Sequence, residues 1–317
     1  MLYQQARNYT EKLVNSSTSL TPYEQVVLIK NILEIRLPAP ESCTDIIKTF
    51  QQLACSLAIN LPDRLTSLQE PDVMTKIITE ILKIQPQPID DYQFIMNNLY
   101  KHAQEMIPHV ADTFKFLNKL SKYVVIDYYI LTIPTQTSQG GELISQNLYQ
   151  IAADNVRSLD QKYTYDIIKK ILTTHDPLNR ASTNRIALFS KSISDYLQSM
   201  SNRNKSIMFK LIKHIMQLHQ HVIESGADTT QELYNSMMHI IASLSIEDQI
   251  DTLEQILTLP SRDTQTVTQT LETLYQHIAE KSDLLNLVII LQKILDVHSQ
   301  PITNTSKIVG SIRHHIE

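Results

Sequence analysis

Asn97-Asn98-Leu99-Tyr100-Lys101-His102-Ala103 is one of four versions of a short pattern that recurs along this chain. The other three versions read QNLYQIA (146–152), QELYNSM (231–237) and ETLYQHI (272–278). Each version contains a leucine followed by a tyrosine, and each leucine lies 18 residues after the first member of an Ile-Leu or Ile-Met pair. A fixed distance between two such features indicates that the chain consists of internal repeats.

Seven Ile-Leu or Ile-Met pairs mark seven repeats, and the residue 18 positions later is large and apolar in all of them. The pairs begin at Ile32, Ile81, Ile130, Ile171, Ile215, Ile256 and Ile294, and the later positions are Phe50, Leu99, Leu148, Phe189, Leu233, Leu274 and Ile312. A proline, or Gly226 in the fifth repeat, lies between the two features. Because proline ends a helix, each repeat is predicted to form two helices joined by a turn.

Local patterns also favour helices. Val26, Ile29 and Leu33 recur at intervals of three and four residues, as on the buried face of a helix. Just before them, Thr21-Pro22-Tyr23-Glu24 has the residues of a capping box with proline in the first turn. Only the stretch 123–129 has the β-branched and aromatic residues typical of a strand. Since that stretch directly precedes Ile130, where the repeat requires a helix, we predict a helix there too.

A two-helix repeat of about 40 to 49 residues resembles the HEAT and armadillo class of helical repeats. The resemblance covers residues 22–317 and is architectural, because no family-specific motif accompanies it. It implies an all-α fold, namely a right-handed α-solenoid of about seven helical hairpins in one domain. Residues 1–21 are predicted to form an N-terminal capping helix. The predicted units span about 22–57, 71–107, 120–154, 158–199, 203–244, 245–281 and 282–317.

The composition argues against most catalytic sites. Only 4 of the 317 residues are glycine, which leaves few positions for loops that bind phosphate through the backbone. The pair Gly140-Gly141 lacks the following Lys-Ser/Thr of such a loop and is interpreted as an ordinary turn after Pro134. The histidines do not show the spacing of a helical zinc site. We therefore predict no catalytic residue, no metal, no cofactor and a non-enzymatic function.

The repeated tyrosines leave two interpretations open. Tyr100, Tyr149, Tyr234 and Tyr275 each follow a predicted core position directly. Their rings could pack between repeats while the hydroxyl groups reach a turn, or they could form a row of contacts on one surface, where tyrosine is a favoured binding residue. The Ile-Leu pairs and the apolar residues 18 positions later are predicted to be core in either case.

Charge is the best indicator of a binding surface in this sequence. The stretch 157–213 has 11 basic against 4 acidic residues, whereas 224–296 has 3 basic against 12 acidic. Charge is not needed to stack helices, so this change of sign favours a partner-binding surface across the fourth to sixth repeats. The predicted partner-binding residues are Lys169, Lys170, Arg203, Lys210, Lys213, Asp248, Asp251 and Glu254.

These features predict a scaffold or adaptor that binds another protein. The alternative is binding of nucleic acid or of an anionic lipid surface through 157–213. The two cysteines are too few for a disulfide framework, and the sequence has no run of 18 apolar residues, so we expect no transmembrane segment and a cytoplasmic location. The Ile, Asn and Gln richness is also compatible with a pathogen or viral protein, in which case the location would be the host cytosol and the partner a host protein.

Overall fold

The computed structural model describes residues 2–35, 44–61, 70–87, 91–134, 139–174, 180–200, 205–224, 231–257 and 265–281. All secondary structure in these ranges is helical, which confirms the all-α prediction. The chain divides into two compact units, Met1–Tyr163 and Thr164–Glu317. The predicted seventh repeat, 282–317, lies outside the described residues.

The first unit contains seven α-helices among its described residues. They are α1 (Leu2–Ser16), α2 (Pro22–Leu33), α3 (Thr44–Asn60), α4 (Pro71–Leu82), α5 (Tyr92–Phe114), α6 (Lys119–Val124) and α7 (Gln139–Val156). Helix α6 continues directly into a π-helical turn, Val125–Tyr129, and then into a 3-10 turn, Ile130–Thr132. The segment with the composition of a strand is therefore helical, as predicted.

Helices of the first unit pack against both the next helix and the next but one. Helix α2 packs against α3 and α4, α3 packs against α5, and α5 packs against α4 and α7. The π-helical turn packs against α4, the 3-10 turn packs against α7, and the N-terminal helix α1 packs against α3. Each helical hairpin therefore covers its apolar surface with a neighbouring hairpin.

The second unit contains most of α8 (Gln161–Thr173), followed by α9 (Arg180–Met200), α10 (Lys205–Glu224), α11 (Gln231–Ser243), α12 (Ile246–Leu257) and α13 (Gln265–Lys281). Helix α9 packs against α10 and α11, and α11 packs against α10, α12 and α13. Helix α10 also contacts α12 and α13, and α12 packs against α13. The linkers of the predicted fourth, fifth and sixth repeats, at 175–179, 225–230 and 258–264, lie outside the described residues.

The repeat positions form the core. The Ile-Leu and Ile-Met pairs are buried wherever their burial is described, and so are five of the apolar residues 18 positions later. Phe50 is the exception, because its ring is only half-buried. The fully buried later positions are Leu99, Leu148 and Phe189, with Leu233 and Leu274 at 1% exposure.

The start of α2 shows the predicted capping box. The backbone N–H of Glu24 donates to Oγ1 of Thr21 at 3.3 Å, and the N–H of Thr21 donates to Oε2 of Glu24 at 2.8 Å. These reciprocal bonds satisfy two donors that a helix N-terminus leaves unpaired. They also hold the pKa of Glu24 below its usual value, because they favour the ionised carboxylate.

Gly140 and Gly141 lie in the first turn of α7, so their interpretation as an ordinary turn is wrong. A Cβ atom at Gly140 would lie 2.7 Å from Cδ2 and 3.1 Å from Cε2 of Tyr100. The backbone of α7 therefore approaches the Tyr100 ring more closely than any side chain at this position would permit. The absence of a side chain at Gly140 thus permits a close approach between α7 and the Tyr100 ring.

Four buried threonines are satisfied within their own helices. Each donates its hydroxyl hydrogen to the backbone carbonyl four residues earlier, at 2.7 to 2.8 Å. A buried hydroxyl without a partner would cost free energy, and this local bond removes that cost. The residues are Thr75 and Thr79 in α4, Thr252 in α12 and Thr270 in α13.

We predict that Leu148→Ala lowers the free energy of unfolding by about 2–5 kcal/mol, because it leaves a cavity in a fully buried site. Leu143→Ala is the matched control, since Leu143 lies on the same helix and is 52% exposed. Its effect should stay within about 1 kcal/mol. Urea unfolding followed by circular dichroism measures both, and equal losses would contradict the assigned core.

A second prediction concerns the contact of α7 with Tyr100. Gly140→Ala should destabilise the protein although alanine is the better helix former, because the added methyl group meets the ring. In a Tyr100→Ala background the same change should be neutral or stabilising by up to about 1 kcal/mol. A double-mutant cycle measured by thermal unfolding separates the two effects. Additive effects in that cycle would show that Gly140 and Tyr100 do not interact.

Candidate functional site

The four repeated tyrosines pack in the interior. Their exposed fractions are 8% for Tyr100, 4% for Tyr149, 8% for Tyr234 and 4% for Tyr275. A row of contact residues would have to be open to a partner, whereas these rings are covered. The structure therefore shows the packing interpretation, and the surface-contact interpretation is wrong for these four residues.

Two of these tyrosines also link separate segments by hydrogen bonds. The Tyr149 hydroxyl donates to the carbonyl of Ile133, in the turn that precedes α7, at 3.4 Å. Oη of Tyr234 lies 2.7 Å from Oγ1 of Thr270 on α13. Since Thr270 already donates its hydrogen to the carbonyl of Thr266, Tyr234 is the donor in this pair.

The Tyr234 ring has a further aromatic neighbour. It is stacked on the imidazole of His219 from α10, with ring centroids 4.3 Å apart and planes 15° apart. His219 itself is only 3% exposed. Burial raises the pKa of Tyr234, and the bond with Thr270 reduces that rise. Tyr234 therefore stays a neutral hydrogen-bond donor that joins α10, α11 and α13.

The predicted basic residues lie on two helices of the second unit. Lys169 is exposed and Lys170 is half-buried on α8, while Lys210 and Lys213 are both exposed on α10. Arg203 lies outside the described residues. On α10 the spacing of Lys210 and Lys213 places both on one face, together with His214.

His214 connects the two groups of lysines. Its imidazole is half-buried, and its pKa is lowered first by burial and then by the charges of Lys169 and Lys213. Lys169 of α8 and Lys213 of α10 thus both oppose protonation of the same imidazole. The sequence spacing of Lys210, Lys213 and His214 already predicts that this histidine shares a helix face with the two lysines.

Arg185 belongs to the basic stretch 157–213 but is buried. It is 3% exposed, and its Nη2 donates to the carbonyl oxygen and to Oγ1 of Thr174, at 3.4 and 3.3 Å. Thr174 follows the last residue of α8, where carbonyl groups lack partners within the helix. Arg185 thus stabilises the end of α8 with a positive charge at the negative end of the helix dipole.

The predicted acidic residues differ in exposure. Asp251 is exposed and Glu254 is half-buried, whereas Asp248 is only 9% exposed. The backbone N–H of Asp248 donates to Oγ of Ser245 at 3.2 Å, within the first turn of α12. A carboxylate is favoured there by the helix dipole, so Asp248 has a structural explanation. Helix α12 packs against α10, and of these three acids only Asp251 is exposed.

Within the described ranges, no three His, Cys, Asp or Glu side chains converge in a way that could hold a metal ion. The helices of those ranges also include none with the length and apolarity required to cross a bilayer. The candidate site is the face of α10 that carries Lys210, Lys213 and His214.

We predict that Tyr234→Phe lowers the free energy of unfolding by about 0.5–1.5 kcal/mol, because it removes the buried bond to Thr270. Tyr275→Phe is the control, since Tyr275 is equally buried but its hydroxyl bonds to none of the described residues. That variant should change stability by less than about 0.5 kcal/mol. Thermal and urea unfolding measure the difference, and equal losses for the two variants would contradict the assigned bond.

No protein-family model, no curated protein and no solved structure matches this chain. The likeness to HEAT and armadillo proteins consequently remains one of repeat length and hairpin form. Any function has to be argued from the helices, buried tyrosines and surface charges of the chain itself.

Proposed function

We propose that this chain is a non-enzymatic scaffold that binds another protein, built as a right-handed α-solenoid of the HEAT or armadillo type. The main observation in support of this proposal is that the repeated residues lie in the core. Among the described residues, the Ile-Leu and Ile-Met pairs, the tyrosines and all the later apolar positions except Phe50 are buried, so the repeat serves packing. Residues that stacking does not need are then available for recognition.

The pattern of helix contacts supports a stacked architecture within each unit. In the first unit α2, α4 and the π-helical turn pack in succession, and α3, α5 and α7 form a second succession. In the second unit α9, α11 and α13 pack in succession, as do α10 and α12. Two successions of helices, each containing alternate members of the hairpins, are the arrangement expected of an α-solenoid.

The charges of the second unit support a partner surface on that scaffold. Lys169, Lys210, Lys213 and Asp251 are exposed and do not take part in the helix packing described above. Such charges steer a partner of complementary charge and accelerate its association. We place the partner on α8, α10 and α12, and propose that it is a protein of the cytoplasm, or of the host cytosol if the chain is a secreted effector.

The properties of Cys55, the one cysteine whose surroundings are described, are compatible with a reducing compartment. Cys55 on α3 is a free thiol, and burial together with the nearby charge of Asp91 raises its pKa. A raised pKa lowers the thiolate fraction and hence the reactivity of the group. Cys55 is therefore treated as a packing residue, and it contributes nothing to the proposed binding function.

The proposed architecture predicts an elongated particle. A compact protein of this length has a radius of gyration of about 20 Å. We expect small-angle X-ray scattering of the monomer to give a clearly larger value and an asymmetric distance distribution. Static light scattering of the same sample provides the control for oligomers. A monomer with a radius of gyration near the compact value would contradict the solenoid.

A further inference from the structure

An apolar stripe runs along the surface of the first unit, from the turn before α6 to the π-helical turn after it. Among the described residues, six large apolar side chains are exposed, and three of them belong to this stripe, namely Phe116 at 88%, Leu120 at 55% and Tyr128 at 61%. The half-buried Val124 lies between the last two, at the same spacing of four residues. Single exposed apolar residues are common on proteins, whereas a group of them on one face indicates an interaction site.

Hydrogen bonds hold the first end of the stripe in place. The N–H of Phe116 donates to the carbonyl of Thr113 at 3.0 Å, which closes the turn after α5. Asn118 then caps α6, since its Oδ1 accepts a hydrogen bond from the N–H of Ser121 at 2.9 Å. Phe116 is therefore presented by an ordered turn directly before the helix.

The π-helical turn keeps Tyr128 on the stripe. Four residues are more than one α-helical turn, so residues with this spacing drift around a regular α-helix by about 40° per step. A π turn has bonds between residues five apart and contains more residues than an α turn, so Val125–Tyr129 counteracts the drift. Accordingly, Tyr128 is exposed although Asp127 and Tyr129 beside it are half-buried. Single π turns occur frequently at functional sites.

The charge beside the stripe changes sign along the helix. Lys119 directly precedes Leu120, and Asp127 directly precedes Tyr128, so both charges lie on the same flank of the stripe. Nζ of Lys119 lies 2.6 Å from Oδ1 of Asp160, and these two side chains are 59% and 57% exposed. Because an exposed ion pair contributes little free energy, Lys119 can also interact with a carboxylate of another molecule.

We propose that the apolar stripe is a contact surface between two copies of this chain, whose segments 116–132 pack antiparallel about a two-fold axis at Val124. Leu120 then packs against Tyr128 of the second copy, and Val124 packs against its own equivalent. Antiparallel packing brings the same flank of both helices together, so Lys119 lies beside Asp127 of the second copy. Parallel packing would place the charged flanks on opposite sides of the dimer. Such a dimer does not depend on the scaffold function proposed above.

The size and charge of the stripe favour a second copy over a membrane. At their observed exposures Phe116, Leu120 and Tyr128 supply on the order of 400 Å² per copy, which suits a weak interface of less than about 1,200 Å² in total. A membrane is a poorer match, because Asp127 borders the stripe and its carboxylate would be repelled by anionic headgroups and desolvated by acyl chains. A second copy instead places Lys119 beside this carboxylate.

Sedimentation equilibrium of the full chain, from about 1 to about 300 μM, tests for the dimer. We expect a monomer–dimer equilibrium in this range. Leu120→Ser/Tyr128→Ser removes apolar surface from the contact and should weaken association roughly tenfold or more. The matched control is Phe94→Ser/Leu143→Ser, because these residues of α5 and α7 are 50% and 52% exposed. The control should weaken association less than about twofold.

Charge reversal tests the antiparallel arrangement. Lys119→Glu and Asp127→Lys should each weaken self-association, because each variant places two pairs of like charges across the axis. An equimolar mixture of the two variants should recover association, because one copy then supplies two acids and the other supplies two bases. Recovery on mixing also controls for stability, since neither variant can repair the folding of the other.

A chain that stays monomeric over the whole concentration range would overturn the dimer. Equal weakening by the two apolar double variants, with circular dichroism showing that both are folded, would place the contact elsewhere. Dimerisation of the unmodified chain without recovery in the mixture would exclude the antiparallel arrangement. A monomer that binds vesicles of phosphatidylcholine and phosphatidylserine, and loses this binding in Leu120→Ser/Tyr128→Ser, would assign the stripe to a membrane instead.

Discussion

The structure depends on the burial of two adjacent apolar residues on the same helix. Adjacent residues of a helix point about 100° apart, so both can be buried only if the helix is covered on two sides. Ile32 and Leu33 end α2, which packs against α3 in its own hairpin and against α4 in the next. Ile81 and Leu82 occupy the same place at the end of α4. One hairpin cannot satisfy this requirement alone, so the pairs require neighbouring hairpins.

This requirement explains why much of the fold could be predicted from the sequence. A buried pair and an apolar residue 18 positions later leave a periodic signal that survives differences in turn length. Leu148 and Leu274 occupy equivalent positions on α7 and α13 although their local sequences differ. The composition of 123–129 suggested a strand, but its position in the repeat correctly predicted a helix. The π-helical form of that turn was not predicted, because it depends on packing that sequence periodicity does not describe.

The charged surface was less predictable, because a count of charges along the chain contains no information about burial. Arg185 contributes to the basic stretch in sequence but binds the end of α8, and Asp248 contributes to the acidic stretch but is covered in the first turn of α12. Gly140 was misread for a related reason, since its constraint comes from Tyr100, which is distant in sequence.

The buried threonines have a consequence for the mechanics of the fold. Thr75, Thr79 and Thr252 donate their hydroxyl hydrogens to backbone carbonyl groups of their own helices. Those hydrogens therefore form no bond between helices. A hydrogen bond between helices resists sliding because it is short and directional, whereas apolar contacts change little over a small displacement. The contacts around these threonines should therefore yield elastically under a bending load. The Tyr234–Thr270 bond, which joins two helices, would by contrast resist such a displacement.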